Sequence, residues 1–245
     1  MNDEKFKYQN TLTKEGKYVV TVIDRAFNES TITFTIDKTA PSFKNLTDGM
    51  YYQENINVLV EDNNLDKIKA TVYADNYTMI EVPNNTQLTK EALYYLEAID
   101  KAGNKASIHV TIDKTAPKLE KLQIINLNNI NSSYIKEGET LRILATFNEV
   151  LQTPPYINIA DQKLKLDKIS GGNGEIIYTT DITIDDSLKK LKEGKIKYTI
   201  SDYQDQALQT GESINEEFAN QILIYDKTAP IILKNSSIGS DDIYR

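Results

Sequence analysis

The sequence Ile-Asp-Lys-Thr-Ala-Pro (IDKTAP) occupies residues 36–41, recurs at 112–117, and returns as YDKTAP at 225–230. A motif repeated at uneven intervals is typical of a joint between modules rather than of a catalytic centre. Proline fixes its own φ and pushes the preceding alanine towards extended geometry. The motif therefore predicts a short, stiff linker, DKTAP, that ends one strand and leads into the next module.

The residues that precede the first two linkers are also repeated. Residues 12–41 align with residues 88–117 without a gap, and 17 of the 30 positions are identical. Repetition on this scale indicates duplicated modules that each fold around a core of their own. We predict that residues 1–37 are the end of one module and that residues 42–113 are a complete small module. Residues 118–226 are predicted to be a larger module, and residues 231–245 the start of another.

Alternating apolar and polar residues indicate that these modules are built from strands. Ile108, Val110 and Ile112 should point into a core, whereas His109 should face solvent. The same alternation occurs in four further runs: Ile56/Val58/Val60, Ile68/Ala70/Val72, Leu141/Ile143/Ala145/Phe147 and Ile196/Tyr198/Ile200. Many short strands separated by turns predict an all-β fold of tandem antiparallel β-sandwiches. Only 186–193 favours a helix, and a short one.

Composition excludes several functional classes. The 245 residues contain no cysteine, so disulfides, thiolate metal sites and thiol nucleophiles are ruled out. The net charge of −8 argues against binding to nucleic-acid phosphates. No apolar run is long enough to span a membrane, which predicts no membrane insertion. Residues 1–10 lack the apolar core of a signal peptide, which indicates a cytosolic protein or a piece of a longer secreted one.

The repeated segments resemble the tandem bacterial immunoglobulin-like (Ig-like) domains of large cell-surface proteins and adhesins. The resemblance rests on the pattern Y-x-V-x-V-x-D-x-A-x-N followed by IDKTAP, and "EGETLRILATFNEV" at 137–150 is similar to a longer variant of the group. It implies tandem Ig-like sandwiches, a non-enzymatic role, and an extracellular or bacterial cell-surface location. It also implies two kinds of partner: adjacent modules of the same chain, and a host or cell-wall protein or glycan.

Acidic residues are expected to gather at the joints. In an Ig-like sandwich the incoming linker, the loop after the second strand and the loop before the last strand meet at one pole. Calcium binds six to eight oxygens, several of them carboxylates, and some adhesins of the resembled type hold calcium at such joints. The candidate ligands at the first joint are Asp37, Glu61, Asp62, Asp100 and Asn104. Those at the second joint are Asp113, Glu149 and either Asp202 or Asp205.

The same residues have a plainer interpretation. Aspartate and asparagine in "DKAGN" (100–104) are ordinary turn residues that bond their own backbone. Asp62, Asn64 and Asp66 match the first spacings of an EF-hand loop. That motif is excluded because Lys67 stands where glycine is required and Tyr73 where the bidentate glutamate belongs.

Other chemistry-bearing residues favour structural roles. His109 is the sole histidine, and on a strand's solvent face it lacks the pocket and orienting carboxylate of a general base. "SGGNG" at 170–174 has no following helix or Lys-Ser/Thr pair, so a hairpin turn is favoured over a phosphate loop. Tyr18 and Tyr94 are expected to bond nearby backbone at the start of the penultimate strand. Tyr51 and Tyr52 are an exposed aromatic contact or part of a core.

Three functional hypotheses remain open on the sequence. The first is a non-enzymatic spacer and adhesion segment that presents a functional region from a bacterial surface. The second is an accessory region of a large secreted hydrolase or protease. The third is a carbohydrate-binding module.

Overall fold

The computed structural model describes residues 11–73, 77–188, 190–219 and 222–231. The described chain is almost entirely strand and loop, so the predicted all-β class is confirmed. It divides into two compact units, residues 1–114 and 115–245. Among the described residues, no helix is long and apolar enough to cross a membrane.

The first unit begins with a hairpin that forms a two-stranded sheet by itself. Its strands are β1 (Gly16–Ile23) and β2 (Glu29–Ile36). The eight strands that follow are β3 (Ser42–Lys44), β4 (Met50–Tyr52), β5 (Ile56–Glu61), β6 (Leu65–Val72), β7 (Thr78–Val82), β8 (Thr86–Leu88), β9 (Ala92–Asp100) and β10 (Lys105–Ile112). They form two sheets, ordered β3-β5-β8 and β4-β10-β9-β6-β7.

Strand order identifies residues 42–112 as an Ig-like sandwich. The chain changes sheet after β3, β4, β5, β7 and β8, and β4 runs parallel to the last strand, β10. Strands β3, β5 and β8 take the places of Ig strands A, B and E, and β6, β9 and β10 take those of C, F and G. An Ig domain likewise has A, B and E on one sheet and C, F and G on the other. The two sheets enclose one core: Ile56, Val58, Val60, Ile68, Ala70, Val82, Leu88, Tyr94, Leu96, Ala98, Val110 and Ile112.

The expected burial along β10 is met with one difference. Val110 and Ile112 are buried and His109 is exposed, as the alternation predicts. Ile108, expected in the core, is only half-buried and packs at its margin. The facing sheet has strands of three, six and three residues, too short to cover all eight residues of β10.

The second unit repeats this plan on a larger scale. Its strands are β11 (Leu119–Asn126), β12 (Tyr134–Ile135), β13 (Thr140–Phe147), β14 (Tyr156–Ile159), β15 (Gln162–Lys165), β16 (Asp167–Ser170), β17 (Ile176–Thr183), β18 (Gly194–Lys195), β19 (Tyr198–Ser201), β20 (Ile214–Asn215) and β21 (Ile224–Tyr225). The sheets are ordered β11-β13-β17-β16, β15-β14-β19-β20 and β12-β21-β18.

The last two sheets of this unit are joined through interrupted strands. β18 and β19 are consecutive pieces of one strand, and the Ile196 N–H bridges the gap by donating to the carbonyl of Leu223. Twenty-two buried residues from Leu119 to Tyr225 form a single core between the sheets. Two short 3-10 helices occur, at Gly172–Gly174 and Asp186–Leu188. The sequence predicts a short helix at 186–193. In this range the structure has the 3-10 helix Asp186–Leu188, and Lys189 lies outside the described residues.

The "SGGNG" stretch connects β16 to β17. These strands pair antiparallel across it, with Ser170 opposite Ile176, and Gly174 has a positive φ of 81°. The hairpin interpretation of this stretch is confirmed.

The hairpin β1–β2 has the register of β9–β10 but lacks the facing sheet. Gly16 pairs with Ile36 as Ala92 pairs with Ile112. Phe34 is 36% exposed and Val22 65%, whereas their repeat counterparts Val110 and Ala98 are fully buried. The sandwich strands that cover β9–β10 therefore have no counterpart over β1–β2 within the described residues.

We expect β1 and β2 to exchange their amide hydrogens at least tenfold faster than β9 and β10, because an isolated two-stranded hairpin is marginally stable in water. Hydrogen exchange read by mass spectrometry on the monomeric chain measures this. Equal protection of 16–36 and 92–112 in a demonstrated monomer would contradict the expectation.

Candidate functional site

A hairpin turn that begins with aspartate occurs three times in the part of the chain that the structure describes. Asp24 Oδ1 accepts hydrogen bonds from the N–H groups of Ala26 and Asn28 at 2.7 and 2.9 Å. Asp100 Oδ1 accepts the N–H of Asn104 at 2.8 Å, and Asp205 Oδ1 accepts that of Gln209, also at 2.8 Å. The side chain of the fifth residue donates to the other carboxylate oxygen in each case.

This turn requires a left-handed residue at its fourth position. The residue there is Phe27, Gly103 or Leu208, with φ of 66°, 91° and 64° respectively. The two non-glycine residues accept a conformation that L side chains seldom adopt, and the aspartate hydrogen bonds hold the turn in place. The prediction that "DKAGN" (100–104) forms a turn held by its own hydrogen bonds is thus confirmed.

In the first unit this turn meets the linker at the predicted pole. One carboxylate oxygen from each of Asp37, Asp62 and Asp100 lies within 4.8 Å of the other two. Asp37 belongs to the linker, Asp62 follows β5, and Asp100 ends β9. Asp100 is only 2% exposed, while the other two are half-buried. The three aspartates form what we term the joint cluster.

Two asparagine side chains connect the joint cluster. Asn104 donates from Nδ2 to the main-chain oxygen of Asp37 at 3.1 Å and to Asp100 Oδ2 at 2.7 Å. Asn64 donates from Nδ2 to Asp37 Oδ2 at 2.5 Å. Asn104 was expected as an oxygen ligand and here acts as a donor. Asn64 is a connecting residue that the sequence did not predict.

Hydrogen bonding keeps Asp100 charged in spite of its burial. Desolvation raises the pKa of Asp100. Hydrogen bonds from the side chain and N–H of Asn104, and from the N–H groups of Gly103 and Ala102, lower this pKa by more, so it lies below the usual value for aspartate. Glu61, the other acidic candidate from this loop, forms a 2.9 Å ion pair with Lys44. The cluster therefore brings together a buried, ionised carboxylate and two more accessible ones.

The donor set of the joint cluster suits a hard cation in kind. Calcium and magnesium prefer carboxylate and carbonyl oxygens, and three carboxylates are present. Three side chains fall short of the six to eight oxygens that calcium takes, so backbone oxygens or water would have to supply the rest.

The residues expected at the second joint lie in both units, and each is described within its own. Asp113 follows β10, and its N–H donates to the carbonyl of Tyr52 at 2.9 Å. In the second unit, carboxylate oxygens of Glu149 and Asp205 lie within 4.8 Å of each other. Asp205 is fully buried and occupies the turn position of Asp100, whereas Asp202 forms a 3.0 Å ion pair with Lys163. Of the two alternatives left open, Asp205 is the equivalent residue.

The tyrosines behave as the sequence predicts. The Tyr94 hydroxyl donates to the carbonyl of Lys90 at 2.8 Å, and that of Tyr18 to the carbonyl of Lys14 at 2.7 Å. A tyrosine that bonds backbone just upstream of the penultimate strand is an Ig-fold hallmark. Tyr52 is half-buried beside the core, while Tyr51 is 39% exposed on the outer face of the five-stranded sheet.

His109 lies on that same outer face. Its ring is 5.0 Å from that of Tyr95, and Nδ1 is 3.7 Å from Asp48 Oδ1. The side chain is half exposed, so it lacks the enclosed surroundings that a general base needs.

Comparisons with known proteins give structural similarity only. No protein-family profile and no curated protein matches the chain. An I-band fragment of titin is 14% identical with a TM-score of 0.33, covering 88% of this chain and 75% of that one. A tandem pair of titin Ig domains is 12% identical with a TM-score of 0.32, covering 77% and 97%. The eight N-terminal Ig domains of Down Syndrome Cell Adhesion Molecule are 8% identical with a TM-score of 0.29, covering 87% and 31%. The fold assignment rests on strand order and the enclosed cores, not on these alignments.

Proposed function

We propose that this chain is a non-enzymatic, semi-rigid spacer made of tandem Ig-like modules, belonging to a bacterial surface or secreted protein and presenting a functional region. The observation that carries the proposal is the joint cluster. Residues from the linker, from the loop after β5 and from the turn after β9 converge on the joint. The side chains of Asn64 and Asn104 hydrogen-bond to Asp37 of the linker there. The proposed partners are adjacent modules and a host or cell-wall protein or glycan.

Calcium is part of this proposal. Asp37, Asp62 and Asp100 would hold the ion, which would neutralise three neighbouring negative charges and tie the linker to the module that it enters. For the second joint the sequence predicts Asp113, Glu149 and Asp205 as the ligands, and this stays a prediction. Without a cation the carboxylates repel one another, and hydrogen bonds alone oppose that repulsion.

We expect calcium to raise the melting temperature of the full chain. A ligand that binds only the folded arrangement adds roughly 2.7 kcal/mol at a hundredfold excess over its dissociation constant. Asp62→Asn should reduce this gain, because it removes one carboxylate of the joint cluster. Isothermal and differential scanning calorimetry, with and without chelator, measure binding and melting.

Asp66→Asn is the matched control, because Asp66 is an exposed neighbour paired with Lys67 rather than with the cluster. Absence of calcium binding, together with melting that chelator leaves unchanged, would remove calcium from the proposal. The aspartates would then serve as turn and linker residues only.

One observation favours a second candidate, a carbohydrate- or protein-binding module. The outer face of the sheet β4-β10-β9-β6-β7 carries partly exposed aromatic and aliphatic residues: Tyr51, Leu93, Tyr95 and His109 on neighbouring strands, and Tyr73 directly after β6. Tyrosine offers both an apolar ring and a polar hydroxyl, as binding surfaces often require. Glycan-array binding that is lost in Tyr51→Ala and Tyr95→Ala would support this candidate over the spacer.

A further inference from the structure

A glutamate lies immediately before β1, before β9 and before β18, and each of these glutamates contacts the linker that ends its repeat. Glu15 Oε1 accepts the N–H of Lys38 at 2.5 Å and the hydroxyl of Thr39 at 3.0 Å. Glu193 makes equivalent contacts in the second unit, where it accepts the Lys227 N–H at 3.4 Å and the Thr228 hydroxyl at 3.0 Å, and it also accepts the Thr228 N–H at 3.2 Å. Glu15 and Glu193 both lie in the sequence Lys-Glu-Gly, from which only a turn can be predicted.

The middle repeat has the same contact with an added lysine anchor. Glu91 Oε1 accepts the N–H of Lys114 at 2.5 Å. The Lys114 ammonium donates to Asn55 Oδ1 at 2.7 Å and to the carbonyl of Thr89 at 2.5 Å. Both groups belong to the module that the linker leaves, so backbone and side chain of Lys114 are held to the same module.

The linker's own aspartate completes this arrangement. Asp37 Oδ1 accepts the N–H of Thr39 at 3.1 Å, and Asp226 Oδ1 accepts that of Thr228 at the same distance. Consecutive linker N–H groups are thus satisfied by side chains, and the next residues are alanine and proline, the latter with no N–H. An extended segment with no sheet partner otherwise depends on water for these bonds.

The charge of the glutamate matters to these bonds. Hydrogen bonds to a carboxylate are shorter and stronger than those between neutral groups. The bond from the Thr228 hydroxyl is the main cause that lowers the pKa of Glu193, with further lowering by the linker N–H groups. At Glu193 the ionised carboxylate is therefore the form that the linker binds.

We infer that Glu15, Glu91 and Glu193 are positioning residues that fix the linker on the module it leaves. This contact, which we term the exit clamp, stiffens each joint without a metal ion. The inference rests on the proposed spacer function and adds to it. Proline restricts only its own φ and the residue before it, whereas the exit clamp fixes the linker residues that precede both.

The joint at Lys114 offers the clearest test, because an enclosed core flanks it on each side. The chain has no cysteine, so Ser107→Cys and Lys168→Cys place one spin label at an exposed strand position in each unit. Double electron–electron resonance in chelator gives the distribution of distances between the labels. We expect Glu91→Ala to widen this distribution at least twofold and Glu91→Gln, which keeps one acceptor oxygen, to widen it less.

Glu54→Ala is the matched control, because Glu54 is exposed in the same module and makes no hydrogen bond among the described residues. It should leave the distribution unchanged. The amide of Lys114 should also exchange at least tenfold faster in Glu91→Ala, while protection of 92–112 stays the same.

The possible outcomes separate the two claims. A wild-type distribution that is already broad would contradict the spacer function itself. A narrow wild-type distribution that Glu91→Ala leaves narrow would overturn the exit clamp and leave the spacer standing. Widening that accompanies lost protection throughout 92–112 would assign Glu91 to folding, and would also overturn the inference.

Discussion

Phe147→Ala should lower the free energy of unfolding of the second unit by about 3–5 kcal/mol, the usual cost of truncating a buried phenylalanine. Phe147 is 2% exposed, and its ring meets the rings of Tyr178 and Tyr203 edge to face at 5.6 and 4.9 Å. Truncation leaves a cavity and removes both aromatic contacts. The Tyr178 hydroxyl also accepts the N–H of Leu151 at 2.9 Å, so the loop that bears Glu149 depends on this cluster.

Native-state hydrogen exchange of peptides from 119–225 measures this loss without assuming that both units unfold together. Ile130→Ala is the control, because Ile130 is 71% exposed and its truncation should change stability by less than about 0.5 kcal/mol. A loss below about 1 kcal/mol for Phe147→Ala would show that the aromatic cluster does not hold this core.

Gly211→Ala should destabilise the same unit by about 3 kcal/mol, at the upper end of overpacking costs. A Cβ added at Gly211 would lie 1.9 Å from a ring carbon of Tyr203. That ring cannot move aside readily, because its hydroxyl donates to the carbonyl of Glu212 at 2.7 Å and Phe147 packs against it. Since Tyr203 lies in the loop that contains Asp205, exchange protection of 203–211 should fall with stability.

Gly172→Ala provides the comparison, since an added Cβ there meets no atom within 4 Å and φ is not in the left-handed region. It should be neutral within about 0.5 kcal/mol. If denaturant midpoints of the two alanine variants coincide, close packing of Gly211 on Tyr203 is not a constraint in solution.

The strands and their faces could be predicted from the sequence, because burial on one face of a sheet imposes a period of two. Ile56, Val58 and Val60 occupy every second position of β5 and are buried as expected. Ile108 follows the same alternation yet stays half-buried, because burial also depends on the length of the facing strands. The length of the facing strands cannot be predicted from the alternation along β10 itself.

The candidate site was predictable in its carboxylates but not in its connections. Convergence of Asp37, Asp62 and Asp100 follows from which loops share a pole of the sandwich. The choice between Asp202 and Asp205 could not be made, because the strand before them is interrupted between β18 and β19 and the repeats lose alignment. The role of Glu91 could not be predicted, because a glutamate in a turn resembles any solvated residue. Its only signal is that Glu15 and Glu91 stand the same number of residues before their linkers.

The placement of the exit clamp has a genetic consequence. Glu15 and Lys38 are 23 residues apart, as are Glu91 and Lys114, so each glutamate and the linker it holds are encoded within one repeat. A recombination event with its breakpoint after the proline codon transfers both together. On the incoming side, Asp62, Asn64 and Asn104 meet an aspartate that all three linkers share. Whole repeats exchanged at that breakpoint therefore keep each glutamate with the linker that it contacts, so their number could change without separating the two partners of the exit clamp.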